Sequence, residues 1–184
     1  MKVNQETFLK LYEPVHESFA RFCHAKAYGL VEAEDLIAET ITCALENFHT
    51  LKNEKAFLSF LFSIASNLLN KQNRRLKFKG DFNENLFSQK VSEELNSDQV
   101  VDVKLLYQAI EQLPSVMAEA IILFEISGFS IKEVSEIQNA STSAVKQRLK
   151  RGRMKLAKLL GADELLNEAV KNRSTYLASI FLSF

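Results

Sequence analysis

The segment Ser141–Lys158 predicts a helix with two opposed faces, and this prediction constrains the fold more than any other stretch of the chain. Four residues at helical spacing form one apolar stripe: Val145, Leu149, Gly152 and Leu156. The same segment contains seven basic residues and no acidic one. A helix of this kind packs on a partner through one face and presents positive charge on the other.

A shorter helix and a tight turn precede this cationic helix. Ile131, Val134 and Ile137 fall at helical spacing. Asn139 follows them, and asparagine adopts the left-handed backbone conformation more cheaply than most residues. Ser141 is a favourable N-cap for the next helix. Two short helices joined in this way predict a helix-turn-helix, the motif that places its second helix in the major groove of DNA.

Placing Val145 inward determines which side chains of the second helix face outward. The residues directed straight outward would reach base edges: Ser143, Gln147, Lys150 and Arg151. The flanking cations would bind phosphates: Lys146, Arg148 and Arg153. The alternative is a basic, solvent-facing helix of a bundle. That alternative leaves seven cations without a counter-charge, which is unfavourable, so we predict a helix that reads DNA.

Helical periodicity extends through most of the remaining chain. The 184 residues include only five glycines and two prolines, and no stretch alternates cleanly at period two. Helical blocks are expected at about 4–28, with a kink or a restart at Pro14, and at about 31–48 and 54–75. The last of these is apolar nearly all round, so we expect other helices to surround it. Pro114 is expected to open a further helix.

The periodic pattern stops between Leu76 and about Gln99, which predicts a flexible linker. Residues 71–79 hold five basic residues and no acid, whereas residues 81–102 hold six acids and one lysine. The formal net charge of zero is therefore a cancellation between segments. We predict an all-α fold of two small helical domains, at 1–76 and 101–160, with an acidic linker at 77–100 and a helical tail at 161–184.

Two further polar surfaces are candidates for binding. One face of the second helix carries residues at spacings of four, three and four: Asp35, Glu39, Thr42 and Glu46. This face is either a solvated surface, with acids near a helix N-terminus, or a docking surface for a basic partner. The end of the third helix carries a second set: Asn67, Lys71, Asn73, Arg74, Arg75 and Lys77. These residues either stabilise a helix C-terminus or bind the phosphates and unstacked bases of a single strand.

Metal, membrane and enzymatic functions have no support in the sequence. Cys23 and Cys43 lack CxxC spacing and are expected to be buried thiols, and the three histidines lack metal-ligand spacing and are expected to be partly exposed. No signal core or apolar run of the roughly 20 residues that span a bilayer occurs, so we expect a cytoplasmic protein without membrane insertion. No paired acid and base, nucleophile or phosphate loop predicts an enzyme, and no cofactor is expected.

Several segments, in order, resemble the extracytoplasmic-function (ECF, group IV) sigma factors of bacterial RNA polymerase. The similar stretches are Glu34–Thr40 (region 2.2), Phe57–Asn67 with Arg74 and Arg75 (regions 2.3 and 2.4), and Gly128–Ser130 with Ala144–Leu149 (region 4.2). The resemblance covers about residues 8–160. Gln138 and Asn139 depart from it, because they replace a Leu-Gly pair in the turn.

The resemblance implies a specificity subunit of RNA polymerase. The acidic face of the second helix would dock on the beta-prime clamp of the core polymerase, and the beta flap would be a further contact. The end of the third helix would capture the minus-ten element of promoter DNA as its strands separate. The cationic helix would read the minus-thirty-five element. An anti-sigma factor is a further candidate partner.

Two questions stay open at the level of sequence. The alternative function is a two-domain helix-turn-helix transcriptional regulator that binds an operator without polymerase, typically as a dimer on two half-sites. The second question concerns the apolar tail at 176–184. It either packs on the second domain or on another chain, or it docks a regulator.

Overall fold

The computed structural model describes residues 2–28, 31–79 and 97–161, and the side chains of 5–28, 31–75 and 103–161. Within these residues the chain is helical and contains no strand, so the all-α prediction is confirmed. The α-helices are α1 (Lys2–Tyr12), α2 (His16–Ala27), α3 (Ala33–Asn47), α4 (Phe57–Lys79), α5 (Ser97–Glu111), α6 (Ser115–Ile121), α7 (Ile131–Ile137) and α8 (Thr142–Leu159). Three 3₁₀ turns, at Glu13–Val15, Phe48–Thr50 and Glu54–Ala56, and a π-helical turn at Ile122–Ile126 complete the helical structure.

Pro14 divides the first helical block, as predicted. α1 ends at Tyr12, and a 3₁₀ turn that contains Pro14 leads into α2 at His16. Proline has no amide hydrogen to donate, and its ring clashes with the preceding helical turn. One straight helix therefore cannot continue through this position, and the chain restarts as a second helix.

Aromatic side chains fill the centre of the N-terminal unit, which comprises α1 to α4. The ring of Phe8 is fully buried, and its centroid lies 5.5 Å from those of Phe48 and Phe57. Phe22 of α2 packs on Phe62 of α4 with ring centroids 4.6 Å apart. All three pairs are edge-on, an arrangement that aromatic rings favour over a face-to-face sandwich. This core fixes the relative positions of α2, α3 and α4.

One face of the first half of α4 is buried, but other helices do not surround it as predicted, because Ser63 and Asn67 are exposed. Leu61 and Ala65 have no exposed surface. The helix continues to Lys79, beyond the expected domain boundary at residue 76, and α5 begins at Ser97, within the expected linker. The rest of that linker lies outside the described residues, as does the expected helix of the tail beyond Gly161.

Helices α5 to α8 form the C-terminal unit. Pro114 is the N-cap of α6, which confirms the prediction that it opens a helix. Ile121 and Leu123 have no exposed surface, and neither does Val134 of α7. Helix α8 packs on these buried residues, so the core of this unit determines which face of α8 is exposed to solvent.

The N-terminal and C-terminal units pack against each other. α2 lies against the π-helical turn, and α4 lies against α7. Nη2 of Arg21 donates to the carbonyl oxygen of Ser127 at 2.9 Å, and the ring of Tyr28 stacks on that of Tyr107 at 4.2 Å. Burial raises the pKa of Tyr107 to about 12, and burial together with nearby Tyr107 and Glu111 raises the pKa of Tyr28 to about 12.

The cysteines and histidines occupy the environments that were expected, with one difference. Cys23 is fully buried, and burial raises the pKa of its thiol to about 12. Cys43 keeps some exposed surface, because it lies about 100° around α3 from the buried Ala44. The three histidines, at positions 16, 24 and 49, are exposed.

Neither a metal cluster nor a membrane-spanning helix occurs in the part of the chain that the structure describes. No group of three His, Cys, Asp or Glu side chains there is placed to hold a metal ion. No helix there combines the length and the apolar character needed to cross a bilayer.

Candidate nucleic-acid interface

Local backbone preferences build the turn of the helix-turn-helix. Asn139 adopts a φ of 44°, the left-handed conformation that was predicted for it. Ser141 caps α8, because its side-chain oxygen accepts a hydrogen bond from the backbone amide of Ala144 at 3.2 Å. Both predictions are confirmed. Together these residues determine where α8 begins and the direction in which it leaves the turn.

The first helix of the motif, α7, has a cap that the sequence analysis missed. The side-chain oxygen of Ser130 accepts a hydrogen bond from the amide of Glu133 at 3.3 Å. The Glu133 carboxylate accepts one in return from the amide of Ser130 at 2.8 Å. This reciprocal pair is a capping box. The signal was present in the sequence, because serine and glutamate stand three residues apart immediately before Val134.

The apolar stripe of α8 is buried, as predicted. Val145, Leu149 and Leu156 are at most 3% exposed, and Gly152 is buried between them. A Cβ atom added at Gly152 would lie 3.0 Å from Cγ1 of Ile121, closer than ordinary van der Waals contact. The glycine therefore permits the close approach of α8 to α6.

The opposite face of α8 is open to solvent. The four side chains predicted to point straight outward are all exposed: Ser143, Gln147, Lys150 and Arg151. Lys146, on the flank of this face, is exposed as well. These exposures hold while the two units are packed together. The closed arrangement therefore leaves this face of α8 accessible.

A hydrogen-bond network holds Arg148, the first of two half-buried cations on α8. Nη1 of Arg148 donates to Oε1 of Gln138 at 2.8 Å. Nε2 of Gln138 donates to Oε2 of Glu119 at 2.9 Å and to the carbonyl oxygen of Val116 at 3.1 Å. The network ties α8 to α6 through the turn. Sequence reasoning noted only that Gln138 departs from the family pattern, because its partners are distant in the chain.

Arg153, the second half-buried cation, faces the body of its own unit. Its Nε donates to Oε1 of Glu125, and its Nη2 forms an ion pair with the same oxygen. The guanidinium carbon also lies 5.7 Å from the centroid of the Phe124 ring. The sequence grouped Arg153 with the phosphate-binding cations. A helical projection of α8 could not reveal its partner, which comes from the π-helical turn.

The C-terminal part of α4 presents the residues expected to bind a single strand. Those with exposed side chains are Asn67, Lys71, Arg74 and Arg75, whereas Asn73 is partly buried. Nε of Arg74 donates to the carbonyl oxygen of Asn70 at 3.3 Å, which holds the side chain along the helix. Lys77 lies in the last turns of α4, and its side chain is outside the described residues.

The acidic face of α3 is continuous and exposed. All four of its residues have exposed side chains: Asp35, Glu39, Thr42 and Glu46. The Thr42 hydroxyl donates to the carbonyl oxygen of Ala38 at 2.8 Å. Oε2 of Glu39 accepts a hydrogen bond from Nε2 of Gln72 at 3.4 Å. The acidic face and the basic end of α4 therefore lie side by side on the N-terminal unit, whereas α8 belongs to the other unit.

Comparison with known proteins identifies a matching family model and several relatives of this chain. A family model described as sigma-70, region 4, matches residues 104–156, which extend from α5 into α8. The chain is 29% identical to the ECF RNA polymerase sigma factor SigW of Bacillus subtilis over 171 residues, which cover 86% of this chain and 91% of SigW. It is 27% identical to the ECF RNA polymerase sigma factor SigX of the same species, over 91% of each chain. The chain is similar to ECF sigma factors over most of its length.

Two solved structures share the fold of this chain. CnrH in complex with the cytosolic domain of CnrY gives a TM-score of 0.59 at 22% identity, and the match covers 86% of this chain and 90% of CnrH. The sigma factor RpoE in complex with the anti-sigma factor NepR from Bartonella quintana gives a TM-score of 0.57 at 22% identity, over 89% of this chain and 99% of RpoE. These likenesses agree with the prediction of two helical domains.

Proposed function

We propose that this chain acts as a sigma factor: a detachable specificity subunit, not an enzyme, that binds core RNA polymerase in the cytoplasm and directs it to promoters. The observation that carries the proposal is the exposed face of α8, where Gln147, Lys150 and Arg151 are accessible. An uncovered row of donors on a capped helix of a helix-turn-helix is suited to base recognition.

Helix α8 would enter the major groove of the minus-thirty-five element. That groove is about 12 Å wide and admits an α-helix. Lys150 and Arg151 can donate to the acceptor atoms of guanine, and Gln147 can form paired hydrogen bonds with adenine. Ser143 would reach bases near the start of the helix. Lys146 and Arg148, on the two flanks of this face, would contact the phosphates that set the register of the helix.

The end of α4 would bind the minus-ten element as its strands separate. Lys71, Arg74 and Arg75 supply exposed positive charge for phosphates. Asn67 and Asn73 supply amide groups that can donate to and accept from unstacked bases. We assign Lys77 to the same surface, because it follows them on α4.

The acidic face of α3 would dock on the beta-prime clamp of core polymerase, with the beta flap as a further contact for the chain. Asp35, Glu39 and Glu46 are exposed and lie on one side of α3, with Thr42 between them. Exposed charges of one sign attract a surface of the opposite sign over long range, which speeds correct encounter. The acidic side chains stay hydrated until the partner protein covers them.

Binding both promoter elements at once requires the two units to separate. The elements lie about 25 base pairs apart, which is roughly 85 Å at 3.4 Å per base pair. A compact chain of this size has a radius of gyration of only about 16 Å. We therefore propose that core polymerase binds the open form, in which contacts such as that of Arg21 with Ser127 are broken.

A protein partner is a further part of the proposed function. Each of the two similar solved structures contains a second protein, which in the case of NepR is named an anti-sigma factor. We expect an anti-sigma factor to bind this chain as well. A partner that favours the packed arrangement would oppose the separation that promoter binding requires.

A run-off transcription assay tests the proposed function. Core RNA polymerase is combined with this chain and a library of promoter fragments, with core polymerase alone as the control. We expect discrete transcripts only when the chain is present. The alternative, a regulator that binds an operator by itself, would give no transcripts and a dimer on paired half-sites. The ECF sigma factors among its relatives favour the first outcome.

A further inference from the structure

Arg153 differs from the other cations of α8 because it has an acidic partner. Its Nε and Nη2 both contact Oε1 of Glu125, whose side chain is 15% exposed, against 39% for Arg153. Five other cations of α8 are exposed, and none of them forms an ion pair with a residue that the structure describes: Lys146, Lys150, Arg151, Lys155 and Lys158. Among the cations of α8, Arg153 is therefore the one that forms an ion pair with a carboxylate in the part of the chain that the structure describes.

We propose that Glu125 is an internal counter-ion that withholds Arg153 from the DNA backbone, and that it thereby limits the affinity of this chain for DNA of any sequence. This inference rests on the proposed function, because it assumes that α8 binds DNA. It assigns Arg153 a role different from the phosphate contact that its position on α8 suggests.

Two contacts hold Arg153 in place. A carboxylate that is mostly removed from water depends on its charged partner, and Glu125 would be left uncompensated if Arg153 turned away. The guanidinium group also lies over the ring of Phe124, which attracts a cation. A phosphate would have to replace both contacts, and it would then face the unpaired negative charge of Glu125.

Salt dependence distinguishes the two roles of Arg153. The logarithm of the DNA-binding constant falls by about 0.9 per tenfold rise in salt for each phosphate contact. A phosphate-bound Arg153 contributes one such contact, whereas an Arg153 held by Glu125 contributes none. Neutralising Glu125 should free Arg153 and add one contact. When the salt concentration is reduced tenfold, the one added contact increases the DNA-binding constant by a further factor of roughly eight.

The test measures binding of the full chain to a fluorescent promoter duplex and to a shuffled duplex between 0.05 and 0.5 M salt, conditions that we choose to cover a tenfold range. The variants are Glu125→Gln, Arg153→Gln and the two combined. Glu125→Gln keeps the shape of the side chain and removes the charge that forms the ion pair with Arg153. The slope of interest is that of the logarithm of the binding constant against the logarithm of the salt concentration. We expect Glu125→Gln to steepen this slope by about one on both duplexes, and Arg153→Gln to leave it unchanged. The double variant should match the unaltered protein.

Three outcomes would overturn the proposal. A shallower slope for Arg153→Gln would mean that Arg153 already contacts a phosphate. An unchanged slope for Glu125→Gln would mean that the carboxylate withholds nothing. A steeper slope that persists in the double variant would mean that the charge of Glu125 acts without Arg153.

A control variant separates this proposal from the proposed function. Lys146→Gln removes an exposed cation and should make the slope shallower by about one. If Lys146→Gln changes the slope and Glu125→Gln does not, only the counter-ion proposal fails. If neither substitution changes the slope, the assignment of α8 to DNA fails as well. Thermal unfolding followed by circular dichroism establishes that each variant is folded, and cooperative melting is expected for all of them.

Discussion

The ring of Phe129 packs edge-on against the ring of Phe62, with centroids 5.3 Å apart and ring planes at 84°. Phe62 belongs to the core of the N-terminal unit, and Phe129 belongs to the segment that leads into the helix-turn-helix. Phe129 is only 3% exposed, although Gly128 before it adopts a φ of 79° at the surface. The contact therefore joins the cores of the two units.

Removing a hydrogen bond at this contact should make separation of the units easier. The Ser59 hydroxyl on α4 donates to the carbonyl oxygen of Glu136 on α7. We expect Ser59→Ala to weaken the closed form by about 0.5–1.5 kcal/mol, the usual net value of one hydrogen bond. Native-state hydrogen exchange of α7 detects the minor open form and should speed up by the corresponding factor, roughly 2–12.

Ser63→Ala is the matched control for that measurement. Ser63 lies one turn further along α4, and its hydroxyl donates to Phe60 within the same helix at 2.8 Å. Exchange of α7 should be unchanged in this variant. Equal acceleration by Ser59→Ala and Ser63→Ala would show that the effect arises within α4 and not at the contact between the units.

Charge reversal on α3 should abolish binding to core polymerase. Asp35→Arg combined with Glu39→Arg turns an exposed acidic face into a basic one that the clamp would repel. We expect the variant to lose co-purification with core polymerase, while the full chain still binds duplex DNA through α8. Glu6→Arg with Glu13→Arg makes the same charge change at exposed positions outside α3 and should not affect co-purification. Retained co-purification of the α3 variant would contradict the docking assignment.

Outward and flanking residues of α8 should differ in their effects on DNA binding. Lys150→Ala or Arg151→Ala should cost about 1–3 kcal/mol on the preferred promoter and relax sequence preference. Lys146→Ala should weaken binding to all sequences alike and reduce the salt slope by about one. Equilibrium binding to promoter and shuffled duplexes measures both quantities. Lys104→Ala, at an exposed position on α5, is the control. If both kinds of variant lose the same binding free energy on the promoter and on the shuffled duplex, the assigned base-reading and phosphate-binding roles are refuted.

Asn139 should tolerate glycine better than alanine. Its φ of 44° lies in the left-handed region, where a Cβ atom costs about 1–2 kcal/mol; the short polar side chain of asparagine can offset this cost by local hydrogen bonding, alanine cannot, and glycine has no such penalty. We expect Asn139→Ala to lower the free energy of unfolding by about 1 kcal/mol and Asn139→Gly to change it by a few tenths. Urea unfolding of the full chain measures both values. Equal stability of the two variants would indicate that the turn relaxes to a negative φ.

Much of the helix-turn-helix could be predicted because its signals are local. The φ of Asn139, the cap at Ser141 and the burial of Val145 depend on residues within a few positions along the chain. The same holds for the break at Pro14. The capping box of Ser130 and Glu133 was equally local, and its spacing was overlooked. Helical period and capping chemistry therefore determine which residues of α8 face outward.

The helices of this protein, the faces they bury and the sign of charge on each exposed face follow from short-range spacing in the sequence. Long-range packing, in contrast, brings Arg153 to Glu125, links Arg148 to Glu119 through Gln138, and joins the two units. A helical projection records which side of its own helix a residue occupies. It cannot identify the partner that another helix, distant in the chain, brings to that side.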